Sequence, residues 1–160
     1  MRVLIGCETS GKVREAFRRR GHDAWSCDLL PPDDGSPHHF ECDVRTAIKH
    51  GKWDIGIFHP PCTRLTNSGV RWLEERNLWG ELIEAAELFK DCLHADIPGV
   101  VVENPIPHGH AMALIKVPYA QVIQPWMFGH GETKATCLWL KGRRPPPRRP
   151  TPGERPITRL

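Results

Sequence analysis

Apolar and polar positions alternate in short blocks along this chain, and the period of each block predicts an element. Val3-Leu4-Ile5 is a continuous apolar run that predicts a strand over residues 2–6. The small-residue turn Gly6-Cys7-Glu8-Thr9-Ser10-Gly11 follows it. From Lys12 to Arg20, Val13, Ala16 and Phe17 share one helical face and arginines take the other, with Gly21 as the stop. Residues 23–27 predict a second strand ending at Asp28, and residues 30–37 a Pro/Asp/Gly loop. Residues 39–42 predict a weak third strand ending at Asp43, before a helix over 44–50. A fourth strand spans 54–58, and the polar segment 63–69 reads as a loop.

The strongest helical pattern runs from Trp79 to His94, with Leu82, Ile83, Ala86, Phe89, Cys92 and Leu93 on its apolar face. A strand over 99–102, a short helix over 108–115 and two closing strands at 120–123 and 136–140, plausibly an antiparallel pair, complete the chain. Strands alternating with helices predict an α/β fold: a mostly parallel sheet with helices on both faces.

A length of 160 residues suits one domain with a real core. No apolar run reaches membrane-spanning length and the N-terminus shows no signal peptide, so the expected location is cytoplasmic. The six cysteines form no Cys-x-x-Cys pair, which argues for buried thiols rather than a structural metal. The net charge of +3 is unevenly distributed. Seven basic residues and one acid lie from Lys141 onward, and the rest of the chain is slightly acidic. Such a Pro/Arg-rich tail, residues 143–160, fits either a polyanion such as DNA or a solubilising end. The folded domain is expected over residues 1–142.

Two strand ends carry the chemistry. Cys62 follows a strand and two stiffening prolines in Phe58-His59-Pro60-Pro61-Cys62, while Glu103 and Asn104 follow the strand at 99–102. A thiolate can add to carbon 6 of a pyrimidine, and a carboxyl group on ring nitrogen 3 supports the charge this creates. His59 and Arg64 are nearby candidates to activate the thiol. The glycine turn at 6–11, with Asp28 and Asp43 ending the next two strands, has the logic of an adenosine-cofactor site, although Asp28 equally suits a turn or cap. Trp126 and Phe128 are candidate aromatic contacts to substrate, and Trp72 and Trp79 read as packing. Asn67 and Ser68 suit either a cap on the helix that follows them or the lining of the site, with capping the default expectation.

These residues resemble the catalytic core of the cytosine-5 DNA methyltransferases. Pro60-Pro61-Cys62 after Trp53-Asp54, and Val101-Val102-Glu103-Asn104 after a long helix, match that family's order and separation. More closely, the chain resembles small phage and prophage DNA methyltransferase-like proteins over about residues 2–142. The resemblance rests on Gly21-His22-Asp23-Ala24-Trp25-Ser26-Cys27-Asp28, His59-Pro60-Pro61-Cys62-Thr63, Asn67-Ser68-Gly69-Val70-Arg71-Trp72-Leu73, Gln124-Pro125-Trp126 and Lys134-Ala135-Thr136-Cys137-Leu138-Trp139-Leu140.

The resemblance implies a three-layer Rossmann-like core that uses S-adenosylmethionine to methylate cytosine carbon 5 in DNA. Cys62 would be the nucleophile and Glu103 its ring-nitrogen partner. Gly6, Cys7, Glu8, Thr9, Ser10, Gly11, Asp28, Asp43 and Pro60 would hold the cofactor. Arg64, Asn104 and Lys134 would serve the substrate, Asn104 bracing the Glu103 turn and Lys134 standing in for an absent base-contacting arginine. The chain leaves no room for the family's target-recognition region, which implies a protein partner or second copy to supply it. Two alternatives stay open: a silent or partner-dependent DNA-binding relative, and an enzyme acting on free cytosine nucleotides.

Overall fold

The computed structural model describes residues 1–142; the basic tail at 143–160 lies outside the described residues. Seven strands form one sheet in the order β3-β2-β1-β4-β5-β7-β6. They are β1 (Arg2–Gly6), β2 (Asp23–Asp28), β3 (His39–Glu41), β4 (Ile55–Phe58), β5 (Gly99–Pro105), β6 (Gln121–Ile123) and β7 (Thr136–Lys141). The pairs among β1 to β5 are parallel, and β7 runs antiparallel to both its neighbours. Strand β6 therefore runs parallel to β5. The C-terminal ends of six strands and the start of β7 share one rim.

Alternation along the strands divides the core. Leu4 faces the larger cluster, with Phe58, Val100 and Val102, beneath α2 (Val44–His50), α5 (Trp79–Leu93) and α6 (Gly109–Ile115). Val3, Ile5 and Ala24 face the other way, against Val13 and Phe17 of α1 (Lys12–Arg18). The predicted two-sided coverage is present but unequal: Ile55 and Ile57 remain half-buried on the α1 face. Trp139 anchors the larger cluster. It is buried, meets Phe89 edge-on at 4.8 Å between ring centroids, and donates its indole N–H to the Val117 carbonyl at 2.8 Å.

Three expectations need correction. The parallel ladder of β5 stops at Val102, but pairing with β7 carries the strand through Glu103 and Asn104 to Pro105. Glu103 and Asn104 are thus held in a strand rather than placed past its end. The expected 63–69 loop contains a short helix, α3 (Asn67–Val70), followed by α4 (Trp72–Glu75). Its glycine, Gly69, packs against the Thr63 carbonyl and allows the helix to lie directly on the preceding turn. Asn67 and Ser68 lie inside α3, and α4, the helix that follows them, has Arg71 at its N-cap with no side-chain cap, so neither residue caps it.

Replacing Trp139 with alanine should cost about 3–5 kcal/mol, because it leaves a large cavity and an unpaired Val117 carbonyl. Urea denaturation of the purified variant checks this.

Candidate active site

The register places the two reactive segments side by side. Phe58 of β4 pairs with Val102 of β5, so His59 and Glu103 leave the parallel ladder as neighbours. His59 Nδ1 lies 3.0 Å from Glu103 Oε2, and both side chains are partly buried. An ionised carboxylate only accepts, so Nδ1 carries the donated hydrogen and Nε2 is the free ring nitrogen. That Nε2 is buried and has no protein partner. Asn104 is buried and donates from Nδ2 to the Pro60 carbonyl at 2.7 Å, while its Oδ1 is also buried and unpartnered. His59 Nε2 and Asn104 Oδ1 are thus two buried polar atoms without a protein partner near the ends of β4 and β5.

Cys62 is a partly exposed free thiol on the turn beyond Pro60-Pro61. The Cys62 carbonyl accepts from the Leu65 and Thr66 amides and from the Thr66 hydroxyl. His108 then clips this turn to the segment after β5. Its Nε2 donates to the Arg64 carbonyl at 2.9 Å, and its Nδ1 accepts from the Ala111 amide at 3.1 Å. Thr66 also bridges to Pro107. The two proposed thiol activators are engaged elsewhere: Arg64 Nε pairs with Glu81 at 2.7 Å, and His59 with Glu103.

A cavity of about 100 Å³ opens at the same rim, lined by Cys7, Asp28, Leu29, Cys42, Asp43, Val44, Pro61 and Leu88. It gathers three sequence-predicted residues from the ends of β1, β2 and β3. Asp28 Oδ1 accepts from the Leu30 amide at 3.1 Å. Asp43 is both a cavity wall and the N-cap of α2, accepting from the Arg45 amide at 2.7 Å. Pro61 lines this space, whereas Pro60 is buried beneath Asn104.

The rest of the glycine turn builds the wall from behind. Gly6 is packed so tightly that a Cβ would meet Phe58 and Val44 side chains. Cys7 and Gly11 both take positive φ, 59° and 66°. Glu8 is buried and faces inward: its Oε1 accepts from the Val13 amide and the Ser10 hydroxyl, and its Oε2 has no partner. The Thr9 carbonyl accepts from the Asp33 amide, fixing the 29–37 loop against the turn. Beneath it the fully buried Arg14 bonds Ser26 and pairs with Asp34. Lys134 is exposed on the loop between β6 and β7, and the 3-10 turn Pro125–Phe128 presents Trp126 and Phe128, 47% and 57% exposed. Topology puts this loop on the rim that carries Cys62 and Glu103.

Leu29, Cys42, Val44 and Leu88 are not among the expected site residues, and Pro61 is expected only as a stiffener of the Cys62 turn. Leu29 alone had a signal, as the apolar residue directly after Asp28.

Cys27, Cys92 and Cys137 are buried thiols, whereas Cys7 and Cys42 are partly exposed at the cavity. Burial pushes Cys27 up from about 9 to about 12. The hydrogen bond with Cys7, then burial, raises Cys92; burial, then the neighbouring Asp43, raises Cys42. Burial and the Glu103 charge raise Cys137. Among the described residues, no group of three or more His, Cys, Asp or Glu side chains is arranged to hold a metal ion.

Solved structures share this architecture. A protein described as a DNA modification methyltransferase encoded within a prophage (E. coli) superposes with a TM-score of 0.53 at 13% identity, over 88% of this chain and 46% of that one. A SAM-dependent methyltransferase from Neisseria gonorrhoeae gives 0.53 at 14% identity, over 86% and 61%. A Burkholderia thailandensis 1,6-didemethyltoxoflavin-N1-methyltransferase, solved with its substrate and S-adenosylhomocysteine, gives 0.50 at 12% identity, over 89% and 71%. This chain thus spans about half to two thirds of the length of the first two. No protein-family model matches the chain, and no curated protein matches it. The sheet order, the antiparallel β7 and these likenesses establish a Rossmann-like α/β methyltransferase fold. No helix among the described residues is long and apolar enough to cross a membrane.

In the folded protein at neutral pH, iodoacetamide should modify Cys62 and leave Cys27 and Cys92 unmodified; peptide mass spectrometry reads this out. Because the folded state holds the Cys27 proton to about 12 while the unfolded thiol ionises near 9, stability should fall as pH rises between those values. Cys27→Ala should flatten that fall by up to about 1.4 kcal/mol per pH unit, measured by denaturation at several alkaline pH values.

Proposed function

We propose that this chain is an S-adenosylmethionine-dependent methyltransferase that modifies carbon 5 of cytosine in DNA through a covalent Cys62 adduct. The observation that carries the reading is the juxtaposition, across the β4–β5 register, of the Cys62 turn with Glu103, on the same rim as a cavity bearing Asp28 and Asp43.

The cavity suits the cofactor by donor chemistry. Asp28 and Asp43 are acceptor-only groups when ionised, matched to ribose hydroxyls and an adenine amino group. Leu29, Val44 and Leu88 supply apolar walls. The enclosed volume of about 100 Å³ is less than the roughly 300–1,000 Å³ typical of whole-ligand pockets, so it accounts for one end of the cofactor and the open rim for the rest. When bound, S-adenosylmethionine supplies an electrophilic methyl group.

The chain's own residues then do the following. The Cys62 thiolate adds to carbon 6 of the cytosine ring, breaking the 5,6 double bond. Glu103 acts here as the neutral acid: while Oε2 accepts from His59 Nδ1, the carboxyl proton passes to ring nitrogen 3 as the thiolate adds, and it returns to Glu103 when the adduct collapses. Carbon 5 becomes nucleophilic and takes the methyl group. Loss of the carbon 5 proton to a base re-forms the double bond and expels Cys62 as thiolate. Asn104 holds Pro60, and so the Cys62 turn, relative to β5. Arg64 and Lys134 are assigned to the DNA strand, and a base in duplex must first leave the stack.

The test uses tritiated S-adenosylmethionine with separate pools of DNA, RNA and nucleotides. Label should enter DNA at cytosine carbon 5. Cys62→Ala should abolish transfer, and Glu103→Gln should slow it by roughly 10²–10⁴. DNA carrying 5-fluorocytosine should trap the wild-type protein in a denaturation-resistant complex, since fluorine cannot leave as a proton does. Transfer that survives in Cys62→Ala overturns the mechanism.

A further inference from the structure

Immediately after the Cys62 turn, one indole serves two guanidiniums. Arg71 Cζ lies 4.1 Å and Arg76 Cζ 4.2 Å from the centroid of the Trp72 ring. Both arginines are exposed, and Trp72 is half-buried. Among the described residues neither guanidinium has a carboxylate partner. The acids of the same turn do not neutralise them: Glu74 accepts from the Trp79 indole N–H at 3.0 Å, and Glu75 pairs with neither arginine.

This arrangement is fixed rather than floppy. Leu73 is buried between the two arginines, and its carbonyl accepts from the Leu78 amide at 2.9 Å. Asn77 turns the chain with φ 49°. The preceding helix α3 rests on the Thr63 carbonyl through Gly69, and Thr66 is tied to the Cys62 carbonyl. The arginine pair thus rides on the same braced segment as the proposed nucleophile, nine residues along.

Stacking on an aromatic face orients a guanidinium while leaving its N–H edge available. Two like charges gathered on one indole repel until an anion joins them. Planar N–H forks of this kind match phosphate oxygens, which suits a charged backbone better than a carbon-rich ligand. We propose that Arg71, Trp72 and Arg76 form a phosphodiester clamp that seats a DNA strand on the segment that follows the Cys62 turn. The inference rests on the reading of the substrate as DNA, and it adds where the backbone is held.

The test is the salt dependence of binding, read by fluorescence anisotropy with labelled single-stranded and duplex DNA oligonucleotides and the full chain. Two lost phosphate contacts should reduce the slope of log affinity against log salt by about 1.4 for single strands and about 1.8 for duplex in the Arg71→Gln/Arg76→Gln variant. Arg71→Lys/Arg76→Lys should bind more weakly yet keep the slope. Thermal melting of both variants confirms the fold. A stack that serves only the helix would lower melting temperature and leave the slope unchanged in the glutamine variant, which overturns the clamp alone. A wild-type protein that binds neither DNA form at low salt overturns the clamp and the DNA reading together.

Discussion

A Pro-Pro turn cannot satisfy itself. Neither ring nitrogen carries a hydrogen, so the carbonyls around it must find donors elsewhere or be left wet. Here the buried Asn104 side chain supplies the donor for Pro60, reaching from β5 across to the segment that leaves β4. That bond joins two segments 44 residues apart at the point where the parallel ladder has already ended. Asn104 can do this only because β7 pairs antiparallel with β5 and keeps it extended as far as Pro105. The thiol turn, the carboxylate and the closing hairpin of the sheet are therefore one mechanical unit. If the β7 pairing were lost, Glu103 and Cys62 would be free to move apart.

The same economy governs the turn at the other end of the rim. The turn after β1 is held from within by the inward-facing Glu8 and from beneath by the buried Arg14. Buried charges are tolerated only with partners, and Arg14 has three. They lie on its own helix, on β2 and on the 29–37 loop, so a single side chain sets the spacing between the glycine turn and the strand end bearing Asp28.

Local patterns were readable where one element decides its own fate. The apolar run at 2–6 and the helices at 44–50 and 79–93 appear close to where their spacing puts them. What escaped depends on distant partners. Glu103-Asn104-Pro105 reads as a strand stop because proline is a breaker, yet β7 supplies the hydrogen bonds that continue it. Helices α3 and α4 have no apolar stripe long enough to show, and α3 sits on the preceding turn only because Gly69 can lie against Thr63. At the candidate site, Cys62, Glu103, Asp28 and Asp43 stand out in the sequence by type and position, and the fold brings Asp28 and Asp43 to one cavity. The pairing of His59 with Glu103, and the engagement of Arg64 with Glu81 instead of the thiol, do not stand out there. Side-chain partnerships across 17 or 44 residues carry no periodicity.

The loop from Gln124 to Ala135 begins where β6 ends and returns where β7 starts, both on the reactive rim. Its two ends are pinned by adjacent paired strands, so its length is not fixed by the sheet. Each doubling of such a loop costs only about 0.6 kcal/mol in closure entropy. The fold thus contains a socket for extra sequence that faces the chemistry and leaves the core untouched. An insertion there would widen the surface beside the Cys62 turn while the paired strands on either side stay as they are.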